Sequence, residues 1–330
     1  MPESLRVAVI GVGHFGAFHA QKAASNPRTE LVSVADIDGE RAHVIAAKYE
    51  TAAVTDYREL LGKVDAVSVA VPTRHHEEVA CCFLDAGCHV LVEKPIAEDL
   101  GSAARMVDLA RKKGVVLQVG HLARFHAVVE GMGADIERPL FIDAVRIAPF
   151  KTRGTDVNVI LDLMVHDLDL ILTLVNAPLV DVDAAGAPVI SDTEDIANAR
   201  LKFANGCVAT ITASRISLKT ERKMRIFQGD AYFTVDFDSG HVRVIRKGDS
   251  GRELAPGVPD VDIREHVYEE GDALEREMDA FVTAAIEGTA PLVSGEDGLR
   301  ALEAAIRVNE SLRVHAELVA RTSGAGTNTD

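Results

Sequence analysis

The rhythm of apolar and polar positions changes once along this chain. Up to about residue 122, Val/Ile/Leu-rich runs alternate with amphipathic stretches. The runs are LRVAVI (5–10), LVSVA (31–35), DAVSVAV (65–71), HVLVE (89–93) and VVLQV (115–119), and helical spacing fills 14–25, 39–49, 75–86 and 99–112. Strands apolar on both faces and separated by helices predict a parallel sheet covered on both sides. Residues 1–122 are therefore expected to form an α/β Rossmann domain, a doubly wound parallel sheet.

The second pattern is different. Helical periodicity resumes near 123–136, the strand PLFIDAVRIAP follows Arg138, and a helix is predicted over about 158–173. From 180 to about 246 the chain reads as consecutive strands: DIANARLKF, CVATITASRI, RKMRIFQG, AYFTVDF and HVRVIRK. Their turns are polar or carry Gly (Asn205-Gly206, Asp238-Ser239-Gly240), which predicts an antiparallel meander. Two helices follow, near 271–287 and 295–320. Residues 123–320 are thus expected to form an α+β substrate and oligomerisation domain with a large, mostly antiparallel open-faced sheet. Its final helix is of a kind that can pack back on the Rossmann domain. The last ten residues, 321–330 (RTSGAGTNTD), are small and polar and predict a disordered tail.

Composition narrows the function classes. The 330 residues suffice for two domains, and 47% hydrophobic with 5% aromatic residues and no Trp suits Val/Ala/Leu-rich α/β packing. A formal net charge of -16 argues against general affinity for nucleic acid or anionic membranes. It leaves room for a local basic pocket around a phosphorylated small molecule. The sequence MPESLRVAVIG has neither a basic start nor a cleavable apolar segment, and no run approaches the ~20 apolar residues of a membrane helix. Cys81, Cys82, Cys88 and Cys207 form no C-x-x-C pair, so reduced thiols in a cytoplasmic protein are expected.

Candidate chemistry begins at Gly11-Val12-Gly13-His14-Phe15-Gly16. This G-x-G-x-x-G follows a predicted strand and opens a predicted helix, the context in which the pattern binds a dinucleotide. Gly11 permits the tight turn, Gly13 lets a pyrophosphate approach the backbone, and Gly16 lets helix and strand pack closely. Free N–H groups at the helix start complement the phosphates. Asp36 ends the second strand, where a carboxylate accepts from the ribose hydroxyls and repels a 2′-phosphate; this favours NAD over NADP. Asp36 could instead cap the next helix, but Asp38 is better placed to do so.

Two further groups have more than one reading. Glu93-Lys94-Pro95 follows HVLVE, and ligands of a doubly wound sheet bind at such strand ends. Lys94 is then near the nicotinamide, able to polarise a substrate oxygen or move a proton, although the tripeptide is also a common surface turn. Asp162 and His166 stand at i and i+4 in an apolar helix. Ionisable groups there are costly unless paired or used. They fit an acid–base pair in which Asp162 orients His166. They also fit a structural pair or, with Asp169, a helical metal site; no separate His or Cys motif supports a metal, and none is expected.

With these residues in view, the chain resembles the glucose–fructose oxidoreductase / inositol dehydrogenase / rhizopine catabolism (Gfo/Idh/MocA) family. The likeness runs from Val7 to about Leu318. It rests on GVGHFG, Asp36, V-P-x-x-x-H at 71–76, EKP at 93–95, D-L-x-x-H-D-L-D at 162–169 and PLVSGEDGLRALEAA at 291–305. The resemblance implies that Lys94, Asp162 and His166 form the catalytic group, and that Pro72, His76, Glu93 and Gln118 join the glycine loop, with His14 and Phe15, around the cofactor. It also implies a homodimer or homotetramer built on the exposed face of the second domain's sheet.

GHLARFH (120–126) and KTRGTD (151–156) look like the subgroup acting on UDP-N-acetylhexosamines at C3. That likeness puts Arg124, Phe125 and Arg153 beside the substrate, unless the arginines serve structural ion pairs. The expected reaction is NAD-dependent oxidation of a secondary alcohol on a sugar ring, with UDP-N-acetylglucosamine the first choice. An inositol or other polyol dehydrogenase is the alternative within enzymes. A catalytically silent NAD-binding sensor of sugar nucleotides is the alternative outside them.

Overall fold

The structure is a computed structural model that describes residues 4–133, 135–150, 158–248, 253–255, 258–269 and 271–324. The chain divides into two compact units, Met1–Phe125 with Asp272–Leu302, and His126–Gly271 with Glu303–Asp330.

The first unit is built on strands β1 (Leu5–Ile10), β2 (Thr29–Ala35), β3 (Ala52–Val54), β4 (Ala66–Val69), β5 (His89–Glu93) and β6 (Leu117–Gly120). They form one parallel sheet in the order β3-β2-β1-β4-β5-β6. Val7, Val9, Val67, Val69, Val90 and Val92 are all fully buried, as expected for strands covered on both faces. β3 escaped the hydrophobic pattern because three residues, AAV, are too few to show a period.

Helices α1 (His14–Ser25), α2 (Gly39–Lys48), α3 (His76–Asp85) and α4 (Leu100–Lys113) join these strands. Their ends follow local chemistry. The Asp38 carboxylate caps α2 by accepting from Arg41 N, Asp99 caps α4 by accepting from Ser102 N, and Gly114 closes α4 at φ 67°. A later helix, α7 (Ala273–Glu287), is capped by Asp272 and buries Met278, Phe281 and Val282 with Leu5, Val7 and Leu91.

The second unit carries α5 (Ala127–Gly133), β7 (Pro139–Ile147), a π-helical turn Ile160–Met164 running into α6 (Val165–Val175), and strands β8 (Leu179–Ala187), β9 (Ile196–Phe203), β10 (Val208–Ser214), β11 (Glu221–Gln228), β12 (Ala231–Asp236) and β13 (His241–Lys247). A small ribbon of β14 (Glu253–Ala255) and β15 (Val258–Pro259) precedes β16 (Val261–Val267). The large sheet has the order β16-β13-β12-β11-β7-β10-β9-β8.

It is mostly antiparallel but not a simple meander. β7 lies between β10 and β11, parallel to the first and antiparallel to the second. Hairpin reasoning pairs neighbours in sequence and does not foresee an earlier strand inserted between later ones. One face is closed by apolar residues, among them Ile142, Ala144, Ile211, Met224, Ile226 and Phe233.

The last helix, α8 (Gly295–Gly324), starts within the first unit and ends in the second. It outruns the expected end at 320: the Thr322 hydroxyl donates to the carbonyls of Leu318 and Val319 at 3.1 and 2.9 Å. The remainder of the expected tail, 325–330, lies outside the described residues. All four cysteines are unpaired, and burial pushes the Cys207 thiol up to about 11. Among the described residues no helix is long and apolar enough to cross a membrane.

Candidate active site

The glycine loop can be tested against a dinucleotide atom by atom. Gly11 has φ +84°, and a Cβ there would lie 2.8 Å from the carbonyl oxygen of Ala70. A Cβ on Gly16 would sit 1.8 Å from the Gly11 carbonyl oxygen, so only glycine lets α1 approach β1. At Gly13 nothing lies within 4 Å of that position, which is the open side a pyrophosphate needs. Gly13 is the N-cap of α1, with no side-chain cap, so its first N–H groups and positive dipole end are free for phosphate.

His14 and Phe15 stand exposed on the first turn, edge to face at 5.5 Å. Asp36 directly follows β2, is only 7% exposed, and accepts from Val12 N and Asp38 N, each at 2.9 Å. The carboxylate is thus tied to the glycine loop and keeps acceptor capacity for a ribose diol. Asp38, not Asp36, caps the helix. These residues fit NAD.

The turns after β4 and β5 are braced together. Pro72 starts the 3₁₀ turn Thr73–His75 and is exposed. His76 is buried, with Nδ1 2.9 Å from the Pro95 carbonyl and Nε2 2.9 Å from the Val71 carbonyl. Burial lowers its pKa, the two carbonyls opposing the shift. Lys94 is half-buried in the turn it shares with cis-Pro95.

Glu93 accepts from His19 Nε2 at 2.8 Å and from Lys94 N at 3.2 Å. Gln118 is fully buried and donates through Nε2 to the Glu277 carbonyl at 3.0 Å. Sequence reasoning passed over His19, Ser68 and Glu277. The available signal was a polar residue on an otherwise apolar stripe, as at His19 beside Gly16, Ala20 and Ala23.

Arg124 and Phe125 belong to the 3₁₀ turn Leu122–Phe125 and are buried. Arg124 Nη2 donates to the Leu292 carbonyl at 3.0 Å, so part of this guanidinium is structural. Arg153 lies outside the described residues.

In the second unit Asp162 sits in the π-turn and His166 in the first turn of α6, both half-buried. The expected regular helix is therefore wider at its start, a distortion that recurs at functional sites. The residue after His166 fixes the helix. Asp167 pairs with Arg146 of β7 through two bonds, 2.7 and 2.9 Å, and both side chains are buried. Burial opposes the Arg146 charge, and Asp167 more than offsets it. Lys94 thus stands in the first unit, and Asp162 and His166 in the second.

Comparison with known proteins decides the family. Residues 5–121 match the oxidoreductase family with an NAD-binding Rossmann fold, and residues 143–241 match the Gfo/Idh/MocA C-terminal domain. The chain belongs to the Gfo/Idh/MocA oxidoreductase family. It is 39% identical over 309 residues to UDP-N-acetylglucosamine 3-dehydrogenase of Acidithiobacillus ferrooxidans, covering 92% of this chain and 96% of that protein. A solved structure of UDP-N-acetylglucosamine 3-dehydrogenase from that organism superposes with a TM-score of 0.89 at 38% identity, over 94% of this chain and 98% of the other. Myo-inositol 2-dehydrogenase of Thermotoga maritima is 25% identical over 93% of this chain and 96% of its own length. As a Gfo/Idh/MocA member the chain is an NAD-dependent oxidoreductase acting on CH–OH groups, on the Rossmann and open-sheet architecture described above.

Proposed function

We propose that this protein oxidises the C3 hydroxyl of UDP-N-acetylglucosamine to the 3-keto sugar. The observation that carries this reading is the 39% identity, over nearly the full length of both chains, to a protein of that named activity. Bound NAD would supply the hydride acceptor. The protein's own groups handle the proton and the substrate. His166 takes the hydroxyl proton, Asp162 orients the imidazole, and Lys94 donates to the same oxygen and stabilises the charge that develops on it. Arg124 and Arg153 answer the diphosphate: a chain with net charge -16 needs fixed positive charge to hold it. Because Arg124 also holds the Leu292 carbonyl, its replacement costs stability as well as substrate affinity.

The test is steady-state kinetics with NAD on UDP-N-acetylglucosamine, free N-acetylglucosamine and myo-inositol, with the product identified by mass and NMR. The nucleotide sugar is expected to be the best substrate by a wide margin, and replacing either arginine is expected chiefly to raise KM. Faster turnover of myo-inositol or the free sugar defeats the arginine argument. The likeness to a myo-inositol dehydrogenase makes a polyol the second reading. Binding of the UDP-sugar with no change in nicotinamide absorbance would point to a sensor. We further read the protein as cytoplasmic, from its unpaired thiols, and as a homodimer or homotetramer formed through the open face of the second sheet.

A further inference from the structure

Among the described residues, a cluster of ionisable groups in the first unit has no part in the chemistry above. His19, Glu93 and Glu277, from α1, β5 and α7, bring one ligand-capable atom each to within 4.8 Å of one another. Glu93 is the hub: it accepts from His19 Nε2 at 2.8 Å and from the backbone N–H of Lys94 at 3.2 Å. Its carboxyl lies against Gly120, where a Cβ would come within 3.2 Å of it. His19 is held in turn by the Ser68 hydroxyl, 2.9 Å from Nδ1. Glu277 is 1% exposed, and both of its buried carboxyl oxygens lack a hydrogen-bond partner, as does Oε1 of Gln118.

We propose that His19 and Glu277 are positioning residues for Lys94, acting through Glu93. The inference rests on the assignment of Lys94 to the reacting oxygen. Two carboxyls this close and this buried do not both ionise cheaply. Burial first, and then the charge of Glu93, hold Glu277 well above the usual carboxyl range. Burial pushes Glu93 up too, but His19 and Lys94 more than offset it, and Glu93 stays below that range. The arrangement favours the proton on Glu277 and the charge on Glu93.

His19 completes the arrangement. Nε2–H donates to Glu93, and Nδ1 hydrogen-bonds the Ser68 hydroxyl, which fixes the plane of the ring. Other charged groups on the packed elements have partners of their own: Arg276 of α7 donates to the Phe125 carbonyl, and Asp279 accepts from Asn26. Lys22 of α1 pairs with Asp272 and Glu275, and Arg124 turns Nη2 to Leu292. A neutral Glu277 can donate toward Glu93, directly or through one water. Glu93 is then fixed from both sides while it holds the Lys94 N–H, and this sets the direction in which the lysine leaves the turn.

The test uses the full chain with NAD and UDP-N-acetylglucosamine, with Lys94→Met as reference. Glu277→Ala is expected to lower kcat about 10-fold or more while NAD Kd stays within about 3-fold, since a misplaced catalytic group costs turnover before affinity. Glu277→Gln, neutral and still an N–H donor, is expected to recover kcat to within about 3-fold of wild type on the same ground. An infrared difference spectrum, wild type minus Glu277→Gln, should show the carbonyl stretch of a protonated carboxyl. If Glu277→Ala does not fold, Ser68→Ala replaces it, with kcat expected to fall and NAD Kd to hold.

Normal kcat in these variants, with Lys94→Met inactive, overturns this inference and leaves the assignment of Lys94 standing. So does a Glu277→Gln enzyme as slow as Glu277→Ala, a missing carboxyl band, or one equivalent of divalent metal in the purified protein. Normal turnover by Lys94→Met instead defeats the assignment on which the inference rests.

Discussion

At the scale of single residues, Asp36 has two occupations. Its carboxylate accepts from Val12 N and is the proposed acceptor for the adenosine ribose, so Asp36→Ala should weaken NAD binding and narrow the preference for NAD over NADP. Dissociation constants for both cofactors check this, and tighter NADP binding by the unmodified protein refutes it. His166→Asn should lower kcat by about 10²–10⁴ with NAD affinity nearly unchanged; a normal kcat rules out the base. Glu277 carries a pH dependence of its own. Its folded-state pKa is raised, so the native protein binds more protons than the unfolded chain above the ordinary carboxyl pKa of about 4.3. Its stabilising contribution is complete below that value and is lost as pH rises toward the folded pKa. Glu277→Gln lacks this loss. Its stability relative to wild type should climb from pH 5 to 8 by up to about 1.4 kcal/mol per pH unit, measured by urea unfolding. A constant difference would mean Glu277 is ionised. Gly11, Gly13, Gly16 and Asp36 were legible in the sequence because their work is local: one turn, one helix start, one strand end. His19, Ser68 and Glu277 were not, because each acquires meaning only when α1, β4, β5 and α7 meet.

At the scale of elements, the α6 start and its anchor form one unit of behaviour. Arg146→Met would strand the buried Asp167 charge directly after His166. Losing one partner of a buried pair costs about 3–5 kcal/mol, so the expected result is a large drop in unfolding free energy. The double variant Arg146→Met/Asp167→Leu should recover much of that loss, since the penalty lies in the orphaned charge. No recovery would mean that packing, not charge, is what the pair contributes. The periodic elements of this chain were readable because burial imposes a repeat on them; β1, β4 and the centre of β5 (Val90–Val92) are mostly Val, Ala, Leu and Ile. β3 and β16 were missed for opposite reasons. The first is three residues long, and the second, VDIREHV, alternates weakly and is largely exposed. The placement of β7 between β10 and β11 was illegible in principle, because pairing over a long separation leaves no local mark.

At the scale of the whole molecule, the proposed homo-oligomer can be tested on the open face of the second sheet. Register places Ile263, Ile245, Tyr232, Phe227, Phe141 and Val208 opposite one another in one row across six strands. Phe227 and Tyr232 stack at 4.5 Å, with Phe141 5.6 Å from Phe227. Ile263 is 53% exposed and Val267, four residues along on the same face, 70%. The adjoining row carries two ion pairs on either side of Thr234, Glu265 with Arg243 and Asp143 with Arg225. An apolar row that is half-buried from Val208 to Ile245, exposed at Ile263 and bordered by paired charges fits the anatomy of an interface. A two-fold assembly would set this face against its own copy, so the same substitution acts on both sides of the contact. We therefore expect light scattering to give a dimer or tetramer. Phe227→Asp, which puts a charge in the centre of the row without touching the closed face, should lower that mass. The melting temperature of the unmodified protein should rise with protein concentration and that of the variant should not, because association stabilises only the folded state. An unchanged mass for Phe227→Asp would show that copies of this chain meet elsewhere; a monomer in the unmodified protein would remove the interface altogether.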